Sequence, residues 1–252
     1  MGQYNFVDIH CHILPGVDDG AADIAQTQKM LRMAAAEGIC EIVTTPHYKM
    51  GRNRRNASKE RIAELVQELQ RWLADEGINI QLYTGNEILY SYEIDHLLEA
   101  QAVCTLADSS YVLVEFSPGD EFTYIKNGVQ KILMAGFVPV VAHIERYEVL
   151  RKRQEYVEEL VEMGAYMQVN ASSIIGKAGW SVKRCVVRWI RDELVHIIAS
   201  DAHDDKKRAP IMNKAAQIVE RKFGVNKVMN LFYKNPKAIL QGKTAQEYMM
   251  VG

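Results

Sequence analysis

Seven apolar runs of strand length, each followed by a helical pattern, set the strongest constraint on how this chain can fold. They are residues 4–10, 40–47, 78–87, 111–116, 137–143, 165–170 and 195–203. YVLVEF (111–116) is continuously β-forming, as a strand covered on both faces should be. Amphipathic segments separate the runs. In 57–77, Ile62, Leu65, Val66, Leu69 and Leu73 share one helical stripe. In 23–38, Ile24, Met30, Leu31 and Ala34 share a face before Gly38 ends the helix. From Glu115 onward the strand ends fall near 115, 143, 170 and 200, about 30 residues apart, the length of one βα unit. The remainder, from about Pro210, reads as helical. No linker or low-complexity stretch divides the 252 residues. The expectation is α/β class: one parallel barrel in a single domain over 1–252, with a doubly wound open sheet as the structural alternative.

The polar residues fall at the C-terminal ends of these strands. VDIHCHILPGVDDG (7–20) places His10 and His12 at the end of the first, with Asp18 and Asp19 just beyond. The others end in His47, Glu87, Glu115, His143, and Asp201 with His203. A parallel barrel gathers such ends on one rim, so residues 191 positions apart in sequence would meet there. Five of the seven histidines lie at these ends; His96 reads as a helix residue and His196 as a hydrogen-bonded core residue. Carboxylates clustered this densely repel one another unless cations neutralise them. Imidazole nitrogen and carboxylate oxygen without thiolate favour Mn²⁺, Zn²⁺ or Fe, and the number of donors exceeds what one ion takes. Two or three divalent ions that activate a water and offset developing negative charge suit hydrolysis, most naturally of a phosphate ester.

Composition narrows the alternatives. The net charge of −2 gives no global field toward nucleic acid or an anionic membrane. No apolar run approaches the roughly 18 residues of a membrane span, and the N-terminus lacks a signal-peptide layout, so a cytoplasmic protein is expected. Cys11, Cys40, Cys104 and Cys185 form no CxxC pair and read as reduced, partly buried thiols. Strand alternation points Cys11 away from its flanking histidines, and no cysteine is followed by an arginine five residues on.

The motifs DIHCHILPGVDDG, TTPHY, GNEI, VLVEFS, PVVAHIERY, QVN and HIIASDAH resemble the polymerase-and-histidinol-phosphatase (PHP) superfamily. They most resemble its manganese-dependent bacterial protein-tyrosine phosphatases of capsule and exopolysaccharide operons, the CpsB type. The resemblance covers nearly the whole chain. It implies a distorted (β/α)7 TIM-like barrel with a trinuclear centre. Its ligands would be His10, His12, Asp19, His47, Glu87, Glu115, His143, Asp201 and His203, with Glu115 bridging two ions. Asp19 is preferred to Asp18 because the family motif reads Asp-Gly. Two catalytic phosphate-gripping arginines are implied: Arg146 in HIERY, and Arg208, with Lys206 and Lys207 as rivals. A planar guanidinium can hold two phosphate oxygens at once. The implied substrate is a tyrosine-phosphorylated protein, the tail of an exopolysaccharide tyrosine kinase. The segment 48–61, rich in Lys and Arg against the single Glu60, is a candidate contact for an acidic tail. Histidinol-phosphate phosphatase, a metal-dependent nuclease and a non-catalytic adaptor are the competing readings.

Overall fold

The computed structural model describes residues 4–51, 56–244 and 247. Its strands are β1 (Phe6–Cys11), β2 (Ile39–Thr44), β3 (His47–Tyr48), β4 (Gln81–Thr84), β5 (Glu87–Leu89), β6 (Tyr111–Glu115), β7 (Val138–Val141), β8 (Tyr166–Asn170) and β9 (Ile197–Ala199). Every pairing is parallel: β1-β2-β4 form one run and β3-β5-β6-β7-β8-β9 the other. β3 continues β2 and β5 continues β4, so the nine segments occupy the seven strand positions expected from the sequence. The sheet curls until β1 meets β9 at the rim through a Cys11–Ala202 bridge. The fold is the distorted α/β barrel rather than an open sheet.

The two interrupted strands break for local reasons. Pro46 has no N–H to continue a ladder. Its carbonyl instead accepts from the Glu87 N–H at 3.2 Å and the Asn86 amide at 2.9 Å, and Asn86 Oδ1 accepts from the Cys104 N–H at 2.9 Å. Gly85 lets the chain pass close to β2, since a Cβ there would lie 2.6 Å from Val43 Cγ1. The splayed ends place His47 directly opposite Glu87.

Alternating side chains divide the core in two. Val7, Ile9, Val43, Tyr111, Leu113, Val140, Ala142, Ile197 and Ala199 fill the barrel. Ile42, Leu82, Val112, Val114, Val141, Met167, Val169 and Ile198 face the outer helices. The helix Ile24–Glu37 is capped by Asp23, which accepts from the Gln26 N–H, and ends at Gly38 in the left-handed region. Lys59–Asp75 is capped by Ser58 and buries the predicted stripe. Beyond Pro210 the chain is helical, as expected, and Ile239 of the helix Asn235–Leu240 joins the inner cluster.

The seam between β1 and β9 is irregular, and this sets the direction of the first histidines. On β1, Asp8 pairs with Ile42 and Cys11 with Thr44, so β1 takes three steps where β2 takes two. That extra residue is a bulge, which reverses the facing of everything after it. Ile9 points into the barrel, Cys11 into the outer core, and His10 and His12 point into the rim. Below the bridge the buried Asp8 spans the gap: its carboxylate accepts from the Ser200 N–H at 3.0 Å and from the Ser200 hydroxyl.

His196 lies in the chain entering β9. Its Nδ1 accepts the Met167 N–H at 3.0 Å and its ring packs on Tyr166. Burial pushes its pKa down to about 4. An imidazole neutral in the fold but protonated when unfolded stabilises fully above its unfolded value, about 6.5. That contribution is lost as pH falls through 6.5 toward 4. Melting temperature should therefore drop across this window, and less steeply in His196→Gln; parallel curves for the two proteins would remove His196 as the cause.

Candidate metal centre

Glu87 is the hub of the rim. It is 1 % exposed, and its Oε2 lies 3.1 Å from His12 Nε2, 3.3 Å from His10 Nε2 and 3.1 Å from His47 Nδ1. Its Oε1 lies 2.8 Å from His143 Nε2. Glu115 reaches His47 Nδ1 at 3.2 Å and His143 Nε2 at 3.8 Å. Asp201 Oδ1 is 3.4 Å from His10 Nε2 and 3.5 Å from His203 Nδ1. Asp19 Oδ1 is 3.3 Å from His47 Nε2 and 3.6 Å from His203 Nε2. All nine residues predicted as ligands thus meet. They fall into four overlapping groups whose donor atoms lie within 4.8 Å of one another: His12/Asp19/His47/His203, His10/His12/Asp201, His10/Glu87/His143 and His47/Glu87/Glu115. Glu87 belongs to two of these groups, as do His10, His12 and His47, and Glu115 to one.

Two of these residues leave their strands in strained conformations. His143 has φ 33° and Asp201 φ 52°, left-handed values unfavourable for residues with a Cβ. The turns bring His143 and Asp201 into the rim as their strands stop. Such strain at a cluster of polar side chains is a mark of function.

A supporting layer holds the donors. Asp18 Oδ2 accepts from His12 Nδ1 at 2.8 Å and from the His47 N–H at 2.9 Å, and its Oδ1 accepts from the Gly20 N–H at 2.9 Å. Both oxygens are committed to orienting His12 and the loop, while the Asp19 carboxylate is 66 % exposed. Gly20 has no alternative in this loop, since a Cβ there would sit 2.2 Å from the His12 carbonyl oxygen. Gln168 Oε1 accepts the His143 N–H at 2.7 Å and lies 3.1 Å from His10 Nδ1. Its amide donates to Asn170 Oδ1, and Asn170 Nδ2 donates to Asp201 Oδ2. Asp18, Gln168 and Asn170 thereby fix ring orientations and carboxylate positions. Gln168 and Asn170 were not singled out individually from the sequence. The signal was there: in QVN they are two residues apart on an otherwise apolar strand, so they share its inner face.

The electrostatics fit a site built for cations. Burial opposes charge on His12, but Asp18 and Glu87 outweigh it and push its pKa up to about 10. Burial would raise Glu87, yet the imidazoles of His10, His12 and His143 hold it well below the usual carboxylate range. Burial and the neighbouring His12 push His203 down to about 2. Positive charge on some rings and none on others is what this cluster needs to balance its carboxylates. Divalent ions supply the same charge through the same nitrogens. The orphaned atoms agree: among the described residues, His47 Nδ1, Glu87 Oε2, His143 Nδ1 and His203 Nε2 are buried without a hydrogen-bond partner. His10 Nε2 and His12 Nε2 face each other at 3.2 Å, which two lone pairs tolerate only around a proton or a metal ion.

Both predicted arginines sit at the mouth. Arg146 Nη2 donates to Asp201 Oδ2 and Arg208 Nη2 to Asp201 Oδ1, the latter at 2.8 Å. Their side chains are 41 % and 38 % exposed, in a cleft of about 240 Å³ shared with Ser172, Lys177, Lys207 and Ile211. Both lysines are exposed, and Lys207 lines this cleft beside Arg208 whereas Lys206 does not. Cys11 is fully buried and its thiol is pushed well up by burial, so it offers no nucleophile. His96 is exposed on the helix Ile94–Glu99. In the basic segment 48–61, Arg52, Arg54 and Arg55 lie outside the described residues.

Residues 6–241 match the family described as capsular polysaccharide synthesis, CpsB/CapC. The chain belongs to this family. Among CpsB/CapC relatives, the tyrosine-protein phosphatase CpsB of Streptococcus pneumoniae is 35 % identical over 242 residues, covering 93 % of this chain and 98 % of that protein. The tyrosine-protein phosphatase YwqE of Bacillus subtilis is 32 % identical over 238 residues, covering 94 % and 92 %. A crystal structure from work on YwqE and the pneumococcal CpsB, described as unique metal-dependent tyrosine phosphatases, superposes with a TM-score of 0.88 at 32 % identity, covering 94 % of this chain and 95 % of that one. The histidinol phosphate phosphatase of Lactococcus lactis shares the fold alone, with a TM-score of 0.57 at 12 % identity, covering 87 % and 94 %. No helix among the described residues is long and apolar enough to cross a membrane.

The two adjacent aspartates should separate cleanly. Asp18→Ala leaves His12 Nδ1 and two backbone N–H groups without their acceptor. It should cost about 2 kcal/mol, or roughly 4–8 °C in melting temperature measured in chelator. Asp19→Ala should leave that melting temperature within about 2 °C and lower the metal retained after dialysis. An unchanged Asp18→Ala melt would contradict the orienting role.

Proposed function

We propose that this chain is a metal-dependent phosphatase that hydrolyses phosphotyrosine in proteins, acting through a single domain. The observation that carries this reading is one rim where nine nitrogen and oxygen donors adjoin a cleft bearing two arginines. His10, His12, Asp19, His47, Glu87, Glu115, His143, Asp201 and His203 would hold two or three divalent ions, Mn²⁺ foremost, with Fe or Zn²⁺ as alternatives. When bound, such ions activate water as a nucleophile and offset charge on the phosphoryl group. Arg146 and Arg208, each tied to one oxygen of Asp201, are positioned to grip the phosphoryl oxygens and hold phosphorus over the rim. Asp18 and Gln168 keep the imidazoles of His12 and His10 turned toward the centre. The leaving tyrosinate, with a pKa of about 10, departs more readily than an alkoxide, so strong general-acid help is not required. With Cys11 buried in the outer core, no covalent phosphoenzyme is expected.

The physiological substrate consistent with the family is the tyrosine-rich tail of a kinase that governs capsular or exopolysaccharide synthesis, met in the cytoplasm.

Phosphate release should be measured on a phosphotyrosine peptide and on histidinol phosphate, with Mn²⁺ and with chelator. Mn²⁺-dependent release from the peptide is expected; release from histidinol phosphate alone would overturn the substrate assignment. Arg146→Ala and Arg208→Ala should each lower kcat/KM on the peptide by about 10²-fold or more with metal content retained. Loss of metal in either variant would reassign that arginine from phosphate binding to support of Asp201.

A further inference from the structure

A second strongly basic surface lies outside the rim. The helix Trp180–Arg191 buries Cys185, Val186, Trp189 and Ile190. It presents Arg184, Arg188 and Arg191 to solvent at steps of four and three, on one stripe. Like charges at these steps weaken a helix rather than support it. Arg151, from the helix Glu148–Lys152, joins this stripe, and the four arginines with Ser181 line a groove of about 420 Å³. No carboxylate lines the groove, and among the described residues none of the four arginines forms a close ion pair, although Arg151 is near enough to Glu148 to lower its carboxyl pKa. Arg151 Nη1 donates to the Glu145 carbonyl at 2.7 Å, Arg188 Nη2 reaches Cys185 Sγ at 3.8 Å, and Arg184 lies over the Trp180 ring at 4.7 Å. The helix dipole accounts for Arg188 and Arg191 in the last turn. It does not account for Arg184 in the first half or for Arg151 on another element.

The groove is continuous in chain with the mouth of the rim. Lys177 and Ala178 line the arginine cleft, and Ser181, three residues later, lines the groove. Arg146 stands in the first and Arg151 in the second. Lys183 Nζ lies 3.4 Å from the Ile175 carbonyl oxygen, and Trp180 is 71 % exposed. On a chain of net charge −2 this basic groove is a local feature, and it adjoins the mouth through Arg151, bonded to the carbonyl of Glu145 beside Arg146.

We propose that the Arg151/Arg184/Arg188/Arg191 groove binds a second phosphate of a multiply phosphorylated substrate segment while another phosphotyrosine occupies the rim. This rests on the phosphotyrosine reading above and adds where the rest of the substrate lies. Guanidinium forks without carboxylate partners suit phosphate oxygens. Attachment at two points raises the effective concentration of the reacting phosphotyrosine without any new contact at the rim.

The test compares two peptides of one sequence, carrying one or two phosphotyrosines a few residues apart. In the wild-type protein with Mn²⁺, the doubly phosphorylated peptide should show a KM lower by about tenfold. In R184A/R188A/R191A that difference should fall below about twofold while turnover of p-nitrophenyl phosphate is unchanged. Anisotropy binding of the labelled peptides to chelator-treated protein reads the groove without turnover, and R184Q/R188Q is the milder variant there. Equal KM and equal binding of the two peptides by the wild-type protein would overturn the proposal without any variant. So would loss of p-nitrophenyl phosphate turnover in both variants, which would make the stripe structural. Phosphatidylglycerol vesicles that sediment with the wild type but not the variants, with no discrimination between peptides, would assign the groove to a membrane surface instead. Preference for the doubly phosphorylated peptide in binding, with neither peptide hydrolysed, would keep the groove and remove the catalytic reading.

Discussion

The seam between β1 and β9 is the constraint on which the rim depends. His10 and His12 come from the first strand, Asp201 and His203 from the turn after the last. They meet in two groups of donors that share His12, across a seam where Asp8 reaches to Ser200 and Cys11 bridges to Ala202. Here the closure of the barrel and the assembly of the centre are one event. The bulge in β1 belongs to the same seam. Without its extra residue, the strand alternation that sends Ile9 into the barrel would send Cys11 inward and the histidines outward.

A cluster of carboxylates and imidazoles this deeply buried is costly unless every charge is answered. The molecule answers in layers. Glu87 is surrounded by imidazoles, those rings are held from behind by Asp18 and Gln168, and Asp201 is held from outside by two guanidiniums. The arrangement leaves four buried polar atoms of the rim without a hydrogen bond. Buried polar groups are rarely left so, and three of these, His47 Nδ1, Glu87 Oε2 and His203 Nε2, lie where metal ions would complete them. The same arginines that steady Asp201 expose their remaining N–H groups to the cleft, so one contact links metal support to phosphate binding.

Much of this was legible in the sequence because strand ends in a parallel barrel are fixed in space by the fold itself. A histidine or carboxylate closing an apolar run must lie on the rim, which is why the position of His47, Glu87, Glu115 and His143 in sequence alone brings them together. What was not legible depends on local backbone departures. The β1 bulge is invisible in VDIHCH, and so are the left-handed turns at His143 and Asp201. The breaks at Pro46 and Gly85 divided strands that read as continuous in 40–47 and 78–87. The centrality of Glu87 over Glu115 is a matter of ångströms between elements far apart in sequence. Arg184, Arg188 and Arg191 recur at helical spacing in the sequence but were not singled out, and Arg151 opposite them could not be, because the groove exists only once two helices pack.

The long separation across the seam also dictates an order of events during synthesis on the ribosome. The strand bearing His10 and His12 is made first, yet its partner at Ser200–His203 emerges 192 residues after Asp8. Until then Asp8 lacks its partner, the barrel lacks its closing edge, and no donor from the last turn is present. Contacts this distant form late. The nascent chain is thus kept from assembling the full centre until β9 and the turn after it have been made. An early termination product would carry most of the strands and none of the finished chemistry.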